Sequence, residues 1–319
     1  MNGLWGRGRT LIAGSVLACA LLVGLSQAAA PAPEPVIPEG EGARIVVSAP
    51  GQNPVSLYFE ERGSGQTVLL LHGLGESSFT WHDVMPALAA RYRVIALDLM
   101  GFGRSDKPQD AAYSADAQAA LVARFILDKN LDDIALVGHS FGGTVALRTA
   151  LAEGIRGTGR IRRIAVIGSP ALPRSTARYL DLVKTPVIPD TLASALSPEA
   201  LARLLLREAS GGSVTSDENI EGYAAPYRDP AAMQAFFATA RTIVMETDAD
   251  AIAKRYKALE QPVLVVWCRK DPIVPLSAGR KLAAALPRAR LSIIEGCHHL
   301  PQHERPKQLL KTLNAFIAR

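Results

Sequence analysis

Residues 137–143, with the sequence VGHSFGG, limit the possible folds of this chain more than any other segment. The apolar residues 134–137 lead into them, and residues 144–148 continue with helical character. The Gly-x-Ser-x-Gly pattern therefore falls where a buried strand turns sharply into a helix, which strains Ser140 and lifts its hydroxyl above a sheet. Glycines flank the serine because the strand and helix backbones nearly touch at such a turn. The segment predicts a nucleophilic serine, provided that the chain also supplies a base and an acid.

Short apolar runs alternate with segments of helical period along most of the chain. The predicted strands are residues 44–48, 55–60, 67–71, 92–97, 134–137, 164–168, 263–267 and 291–294, and the first two bracket a turn and form a hairpin. The predicted helices are residues 81–91, 116–129, 143–153, 277–286 and 306–318. This alternation predicts an α/β fold with a mostly parallel eight-stranded sheet and helices on both faces.

Residues 171–256 interrupt the alternation, because they contain helices and turns but no buried strand. We therefore predict a core formed by residues 43–170 and 257–319, with a helical lid inserted between the two parts. Five apolar side chains of the insertion either line an acyl pocket or form the core of the lid itself: Phe236, Phe237, Ile243, Val244 and Met245.

The first residues of the chain have the features of an export signal. Arg7 and Arg9 precede the apolar residues 11–25, and small residues follow at 26–30. Fifteen apolar residues are short for a membrane span, which needs about 20. Residues 1–30 thus predict a signal peptide, followed by a proline-rich tether at 31–42, and an exported, periplasmic or secreted protein. An uncleaved N-terminal membrane anchor is the alternative.

The formal net charge of +5 does not indicate a nucleic-acid partner. Arg7 and Arg9 supply two of these charges, and no basic stripe is interleaved with aromatic residues. A small molecule is therefore the predicted partner.

Polar residues that support serine chemistry follow the predicted strands. A nucleophilic serine needs a base and a group that orients the base. Asp271 follows one predicted strand and His298 and His299 follow the next, so that serine, acid and base occur in the order expected for such a sheet. Asp98 is the second candidate for the acid, but it opens a glycine-rich turn that it is expected to hold by hydrogen bonds. The two histidines are adjacent and cannot both face Ser140.

Five segments together resemble the α/β-hydrolase family, in the branch that has a helical cap. They are His72-Gly73-x-Gly75, Asp98-x-x-Gly101-x-Gly103-x-Ser105, residues 138–143, residues 271–275 and His299-x-Pro301-x-x-Glu304-x-Pro306. The resemblance extends from about residue 55 to the C-terminus. It implies that His299 is the base, since the family's catalytic histidine precedes x-Pro-x-x-Glu. It also implies an oxyanion hole made by the backbone N–H groups of Leu74 and Phe141.

The same resemblance implies no cofactor. His72, His139 and Arg104 are expected to be parts of the scaffold. His299 and His303 have the four-residue spacing of metal ligands on a helix, but Pro301 intervenes and no third ligand is evident. No metal site is predicted.

The resulting hypothesis is a serine hydrolase that cleaves a carboxylic ester with an apolar acyl part through an acyl-enzyme. Aspartate nucleophiles serve related halide and epoxide chemistry, and Ser140 argues against both. Hydrolysis of a C–C bond in a ring-cleavage product is the nearest alternative. Enzymes of that kind often have asparagine before the serine and an aromatic residue after the histidine, where this chain has His139 and Leu300. Lactone, amide and peracid chemistry stay open, whereas a binding module is disfavoured because no triad member is missing.

Cys268 and Cys297 lie near the ends of neighbouring predicted strands, just before Asp271 and His299. In an oxidising compartment such a pair can form a disulfide. Two buried thiols are the alternative.

Overall fold

The computed structural model describes residues 42–173 and 196–319. The predicted signal peptide, residues 31–41 of the tether and residues 174–195 of the lid lie outside the described residues. Within the described ranges, no helix has both the length and the apolar character needed to cross a bilayer.

One eight-stranded sheet forms the centre of the described chain, with the strand order β1-β2-β4-β3-β5-β6-β7-β8. Its strands are β1 (Ala43–Val47), β2 (Val55–Arg62), β3 (Thr67–Leu71), β4 (Arg93–Leu97), β5 (Ile134–His139), β6 (Ile161–Ile167), β7 (Val263–Cys268) and β8 (Ala289–Ile294). The β1–β2 hairpin and the β2–β4 pair are antiparallel, and the other neighbouring pairs are parallel. The predicted fold class is confirmed.

Helices cover both faces of the sheet. The helices of the described residues are α1 (Met85–Ala89), α2 (Ala115–Asp128), α3 (Phe141–Thr149), α4 (Pro198–Ser210), α5 (Asp217–Ala224), α6 (Pro230–Met245), α7 (Ala249–Tyr256), α8 (Leu276–Ala285), α9 (Pro301–Glu304) and α10 (Pro306–Ile317). Apolar residues of α2, α3 and α8 belong to one buried cluster, and those of α1 and α10 belong to another. The sheet separates the two clusters, because Leu69 and Leu71 of β3 belong to the first and Val68 and Leu70 to the second. Both faces are apolar because both are covered.

Helices α4 to α7 lie between β6 and β7 in the chain and form a helical insertion. Ser197 caps α4 by accepting a hydrogen bond from the N–H of Ala200, and Pro198 starts the helix. Leu206 and Tyr223 of the insertion cluster with Leu300, which follows β8. Phe237 of α6 packs against Leu74, which follows β3. The insertion therefore contacts the loops at the carboxyl ends of two different strands.

The helix predicted at residues 81–91 is wrong in extent. A 3-10 turn, Ser78–Trp81, comes first, and α1 is limited to Met85–Ala89. Pro86 stands at the start of α1, and its ring and missing N–H prevent a helix from running through this position. His82 and Asp83 lie in the gap between the turn and the helix.

Candidate active site

Ser140 occupies a sharp turn between β5 and α3. Its backbone has φ 49° and ψ −121°, a conformation that residues with a side chain rarely adopt. A Cβ on Gly138 would lie 2.2 Å from the carbonyl oxygen of Gly142, so the strand and the helix leave no room for a side chain there. The N–H of Ser140 donates to the carbonyl of Ile167 at 2.8 Å, which fixes the turn on β6. The surrounding structure therefore holds Ser140 in its strained position.

His299 and Asp271 form a buried hydrogen-bonded pair. Nδ1 of His299 lies 2.8 Å from Oδ2 of Asp271. The other carboxylate oxygen of Asp271 accepts the N–H groups of Ile273 at 2.9 Å and Val274 at 2.8 Å. The carboxylate thus fixes the ring orientation and leaves Nε2 as the nitrogen available to a substrate or a nucleophile. His299 and Ser140 line the same cavity.

His298 faces away from this pair. Its Nδ1 lies 2.8 Å from Oε2 of Glu304, and Oε1 of the same carboxylate accepts the backbone N–H groups of His298 at 2.9 Å and Leu300 at 3.1 Å. Glu304 therefore holds the loop around His299 through three hydrogen bonds. The backbone N–H of His299 donates to the carbonyl of Ala209 in α4 at 2.9 Å, so the helical insertion also contacts this loop.

The structure brings the two residues that were predicted to supply the oxyanion hole into the same cavity as Ser140. Leu74 and Phe141 line the cavity together with Ser140. Phe141 is the first residue of α3, so its N–H has no partner within the helix and lies at the positive end of the helix dipole. A Cβ on Gly73 would lie 3.0 Å from the Cβ of Ser140, which shows how closely the loop after β3 passes the serine.

A buried ion pair beside Ser140 was not evident from the sequence. Nδ1 of His139 lies 3.0 Å from Oε2 of Glu76, and Nε2 of His139 lies 2.9 Å from the carbonyl oxygen of His299. A carbonyl only accepts hydrogen bonds, so Nε2 carries a proton, and Nδ1 donates to the carboxylate. Burial favours neutral side chains, but His139 and the N–H of Gly73 lower the pKa of Glu76 to about 2. Against burial, Glu76 raises the pKa of His139, so the pair is charged.

Glu76 and His139 connect three loops around the site. Gly73, in the loop after β3, donates its N–H to Oε2 of Glu76 at 2.8 Å. His139 ends β5, and its bond to the carbonyl of His299 reaches the loop after β8. Glu76 and His139 are 63 positions apart in the sequence. No periodicity or motif predicts that they interact.

The other expected scaffold residues hold neighbouring loops. His72 lies 2.8 Å from the carbonyl of Gly73 through Nδ1 and accepts the N–H of Leu99 at 3.0 Å through Nε2. Burial lowers the pKa of His72, in agreement with this neutral arrangement. Asp98 accepts the N–H of Arg104 at 2.8 Å. These residues connect the loops after β3 and β4.

An apolar cavity with about 790 Å³ of empty space, part of it open to solvent, ends at Ser140 and His299. Its lining comes from the core loops and the helical insertion: Leu74, Gly75, Glu76, Ser140, Phe141, Pro170, Leu205, Leu206, Ala209, Tyr223, Phe236, Ile243, Ile273, Val274, His299 and Leu300. Of the five apolar insertion residues considered from the sequence, Phe236 and Ile243 line the cavity. Phe237 and Val244 pack in a cluster with Leu74, whereas Met245 is 71% exposed. The described residues that line the cavity include no lysine or arginine.

Cys268 and Cys297 form a disulfide, with their Cα atoms 5.3 Å apart. Cys268 ends β7 and Cys297 follows β8, and both are buried. The bond therefore joins the segments that lead to Asp271 and His299.

Comparisons with known proteins agree with this geometry. Residues 66–306 match the model of the family described as alpha/beta hydrolase fold. An uncharacterized hydrolase of Bacillus subtilis (strain 168) is 30% identical over 265 residues, which are 82% of this chain and 94% of that protein. The 2-hydroxymuconate semialdehyde hydrolase of Pseudomonas sp. (strain CF600) is 31% identical over 264 residues, 81% of this chain and 89% of that protein.

Among solved structures, a mutant of the meta-cleavage product hydrolase from Pseudomonas fluorescens IP01 in complex with acetates superposes with a TM-score of 0.71 at 25% identity. The superposition covers 86% of this chain and 97% of that structure. The family match spans the chain from β3 to β8, including the loop after β3 and the loop after β8 that carries His299. The chain is therefore an enzyme that belongs to the α/β-hydrolase family.

Proposed function

We propose that the protein is a serine hydrolase that cleaves neutral carboxylic esters with an apolar acyl part, and that Ser140, His299 and Asp271 form its catalytic triad. In this proposal His299 takes the proton of Ser140 as the serine oxygen attacks the acyl carbon. The N–H groups of Leu74 and Phe141 hold the oxyanion, a contribution of about 10²–10³ in rate for one donor. His299 then protonates the leaving alcohol, and water hydrolyses the acyl-enzyme by the same steps.

The apolar lining of the cavity is the observation that supports a neutral substrate. Its charged lining residue is Glu76, whose carboxylate is already paired with His139. An anionic substrate loses its hydration in such a cavity and meets no lysine or arginine among the described lining residues. Removing a carboxylate from water without a partner is unfavourable by several kcal/mol, so a neutral ester fits this lining better than an acid.

Hydrolysis of a C–C bond is a second candidate, which two of the compared proteins support. The Pseudomonas sp. relative is named a 2-hydroxymuconate semialdehyde hydrolase, and the superposed structure is named a meta-cleavage product hydrolase. The same triad is compatible with this reaction, because it also ends in the hydrolysis of an acyl group. Against it stand the lack of a cation among the described lining residues and the presence of His139 and Leu300 where such enzymes often differ.

A series of esters and one semialdehyde distinguish ester hydrolysis from hydrolysis of a C–C bond. Purified protein is assayed with nitrophenyl esters from acetate to decanoate and with 2-hydroxymuconate semialdehyde. The proposal predicts a higher kcat/KM for the esters, with an optimum at a medium acyl chain, and loss of this activity in Ser140→Ala. A higher kcat/KM for the semialdehyde would overturn ester specificity, and ester turnover undiminished in Ser140→Ala would overturn the role of Ser140.

In the same proposal, residues 171–256 act as a lid and the protein is exported after cleavage of residues 1–30. The disulfide between Cys268 and Cys297 supports an oxidising compartment. Cell fractionation followed by N-terminal sequencing tests export. Recovery of the intact chain in the cytoplasm, with both thiols free, would contradict it.

A further inference from the structure

Three potential metal ligands meet outside the candidate active site. His82 and Asp83 follow the 3-10 turn after β3, and His303 belongs to α9. Oδ1 of Asp83 lies 3.2 Å from Nε2 of His82, and Oδ2 lies 2.8 Å from Nδ1 of His303. The three ligand atoms all lie within 4.8 Å of one another.

The hydrogen bonds of His82 direct a lone pair towards this point. Nδ1 of His82 lies 2.9 Å from the carbonyl oxygen of Phe79, and because a carbonyl only accepts, Nδ1 carries the proton. In the neutral ring, Nε2 then presents its lone pair to a carboxylate oxygen of Asp83. Two acceptors at 3.2 Å repel each other unless a proton or a metal ion lies between them.

His303 is held from its other side, as metal-binding histidines usually are. Its Nε2 lies 2.9 Å from the hydroxyl of Tyr223, which in turn lies 2.7 Å from the hydroxyl of Thr80. In the tautomer in which Nε2–H donates to the hydroxyl of Tyr223, Nδ1 presents its lone pair to Oδ2 of Asp83, 2.8 Å away. Outer hydrogen bonds of this kind fix the tautomer and orientation of a metal ligand.

The spacing and the charge suit a zinc-like ion. Bonds of about 2.0–2.1 Å in a tetrahedral site place neighbouring ligand atoms roughly 3.3 Å apart, close to the 3.2 Å between Asp83 and His82, whereas the 2.8 Å between Asp83 and His303 is shorter. One carboxylate and two neutral imidazoles form a donor set that Zn²⁺ prefers. The side chains of His82 and Asp83 are 27% and 38% exposed, so an ion reaches them from solvent.

We infer that His82, Asp83 and His303 bind one divalent transition-metal ion such as Zn²⁺, with water as the fourth ligand. The ion connects the turn that follows the oxyanion loop with the helix that follows His299. Its role is structural, since none of the three ligands lines the cavity at Ser140. His303 thus binds with residues that are more than 200 positions away, rather than with His299, whose Nδ1 is occupied by Asp271.

Metal binding to the full chain tests the inference. Untagged protein is treated with a chelator, dialysed and titrated with Zn²⁺ in a calorimeter, and the bound metal is measured by atomic spectroscopy. We expect one ion per chain and a rise in Tm of roughly 5 °C at about 100 times Kd. Failure to bind a stoichiometric ion would overturn the site.

Variants then identify the ligands. Asp83→Asn and His82→Gln change partly exposed side chains and should preserve the fold, and each should weaken zinc binding by more than about 100-fold, because outer partners alone account for 10–100-fold. His303→Gln should have the same effect. The control is His298→Gln, a neighbouring histidine outside the cluster, which should bind as tightly as the unmodified chain. Equal affinity in Asp83→Asn, or lost affinity in His298→Gln, would contradict the assignment.

Discussion

Glu76 and His139 form a buried ion pair directly beside Ser140, with Nδ1 of His139 3.0 Å from the carboxylate. The pair connects the loop that carries one proposed oxyanion donor with the loop that carries His299. Neither side chain of this pair reacts with the substrate in the proposed mechanism. Its consequence is that loops from three strands keep fixed positions around the serine.

Replacing Glu76 with glutamine tests this role. The variant leaves the charge of His139 without a partner, and breaking a buried pair in this way lowers the free energy of unfolding by about 3–5 kcal/mol. Urea denaturation followed by circular dichroism measures the change. Glu295→Gln is the control, because Glu295 forms an exposed pair with Arg269 and should change stability little. An unchanged unfolding midpoint in Glu76→Gln would contradict the role of the pair.

The stabilisation by this pair should depend on pH in both directions. The pKa of Glu76 is lowered from 4.5 to about 2, so its contribution is present above pH 4.5 and is lost as the pH falls towards 2. The pKa of His139 is raised above 6.5, so its contribution is complete below pH 6.5 and is lost as the pH rises through the raised value. The stability difference between the unmodified chain and Glu76→Gln should therefore be largest between pH 4.5 and 6.5. A difference that is constant from pH 3 to 9 would show that the pair is not charged.

For the proposed triad and ester hydrolysis, Asp271→Asn should lower kcat by about 10⁴-fold, because the amide favours the wrong tautomer of His299. Stopped or continuous assays with a nitrophenyl ester measure the loss. His298→Gln serves as the matched control, since His298 pairs with Glu304 and should retain most of the activity. If His298→Gln lost as much activity as Asp271→Asn, the assignment of His299 as the base would be wrong.

Arg148 links the core to the helical insertion and should be important for stability. Its buried guanidinium, on α3, lies 2.6 Å from a carboxylate oxygen of Glu246 at the end of α6 and 3.0 Å from Asp116 on α2. Arg148→Met removes hydrogen bonds to two carboxylates whose side chains are 51% and 32% exposed, and it should lower the free energy of unfolding by about 1.5–3 kcal/mol. Arg255→Met removes a more exposed partner of Asp116 and should have a smaller effect. Equal effects of the two substitutions in thermal denaturation would contradict this ranking.

The disulfide should stabilise the chain. It closes a loop across a sequence separation of 29 residues, which corresponds to roughly 3–4 kcal/mol in the chain-entropy account. Denaturation with and without a reductant measures this contribution. The Cys268→Ser/Cys297→Ser double variant should be less stable and insensitive to the reductant. Two reactive thiols at these positions, in protein that was prepared without a reductant, would disprove the bond.

Much of the fold was predictable because burial on both faces leaves a clear sequence pattern. The parallel strands are short, mostly apolar runs in the sequence. The polar residues that follow them occur in the chain order serine, acid, histidine, which is expected for such a sheet. The glycines around Ser140 are equally informative, since a Cβ at Gly138 has no room. The error at residues 81–91 came from apolar periodicity, which outweighed the effect of Pro86.

The remaining parts of the site depend on tertiary placement. Glu76 reads as an ordinary loop acid, and only the approach of the loop after β3 to the end of β5 makes it the partner of His139. Likewise, His82 and His303 lie in unrelated segments, so His303 showed no third ligand in the sequence. Among the apolar residues of α6, periodicity did not separate Phe236, which lines the cavity, from Phe237, which packs on Leu74.

The hydrogen bond from the N–H of His299 to the carbonyl of Ala209 has a mechanical consequence. Ala209 belongs both to the cavity wall and to the support of the proposed base. Any displacement of α4 away from the loop after β8 would break this bond, so the wall of the cavity and the backbone position of His299 are not independent.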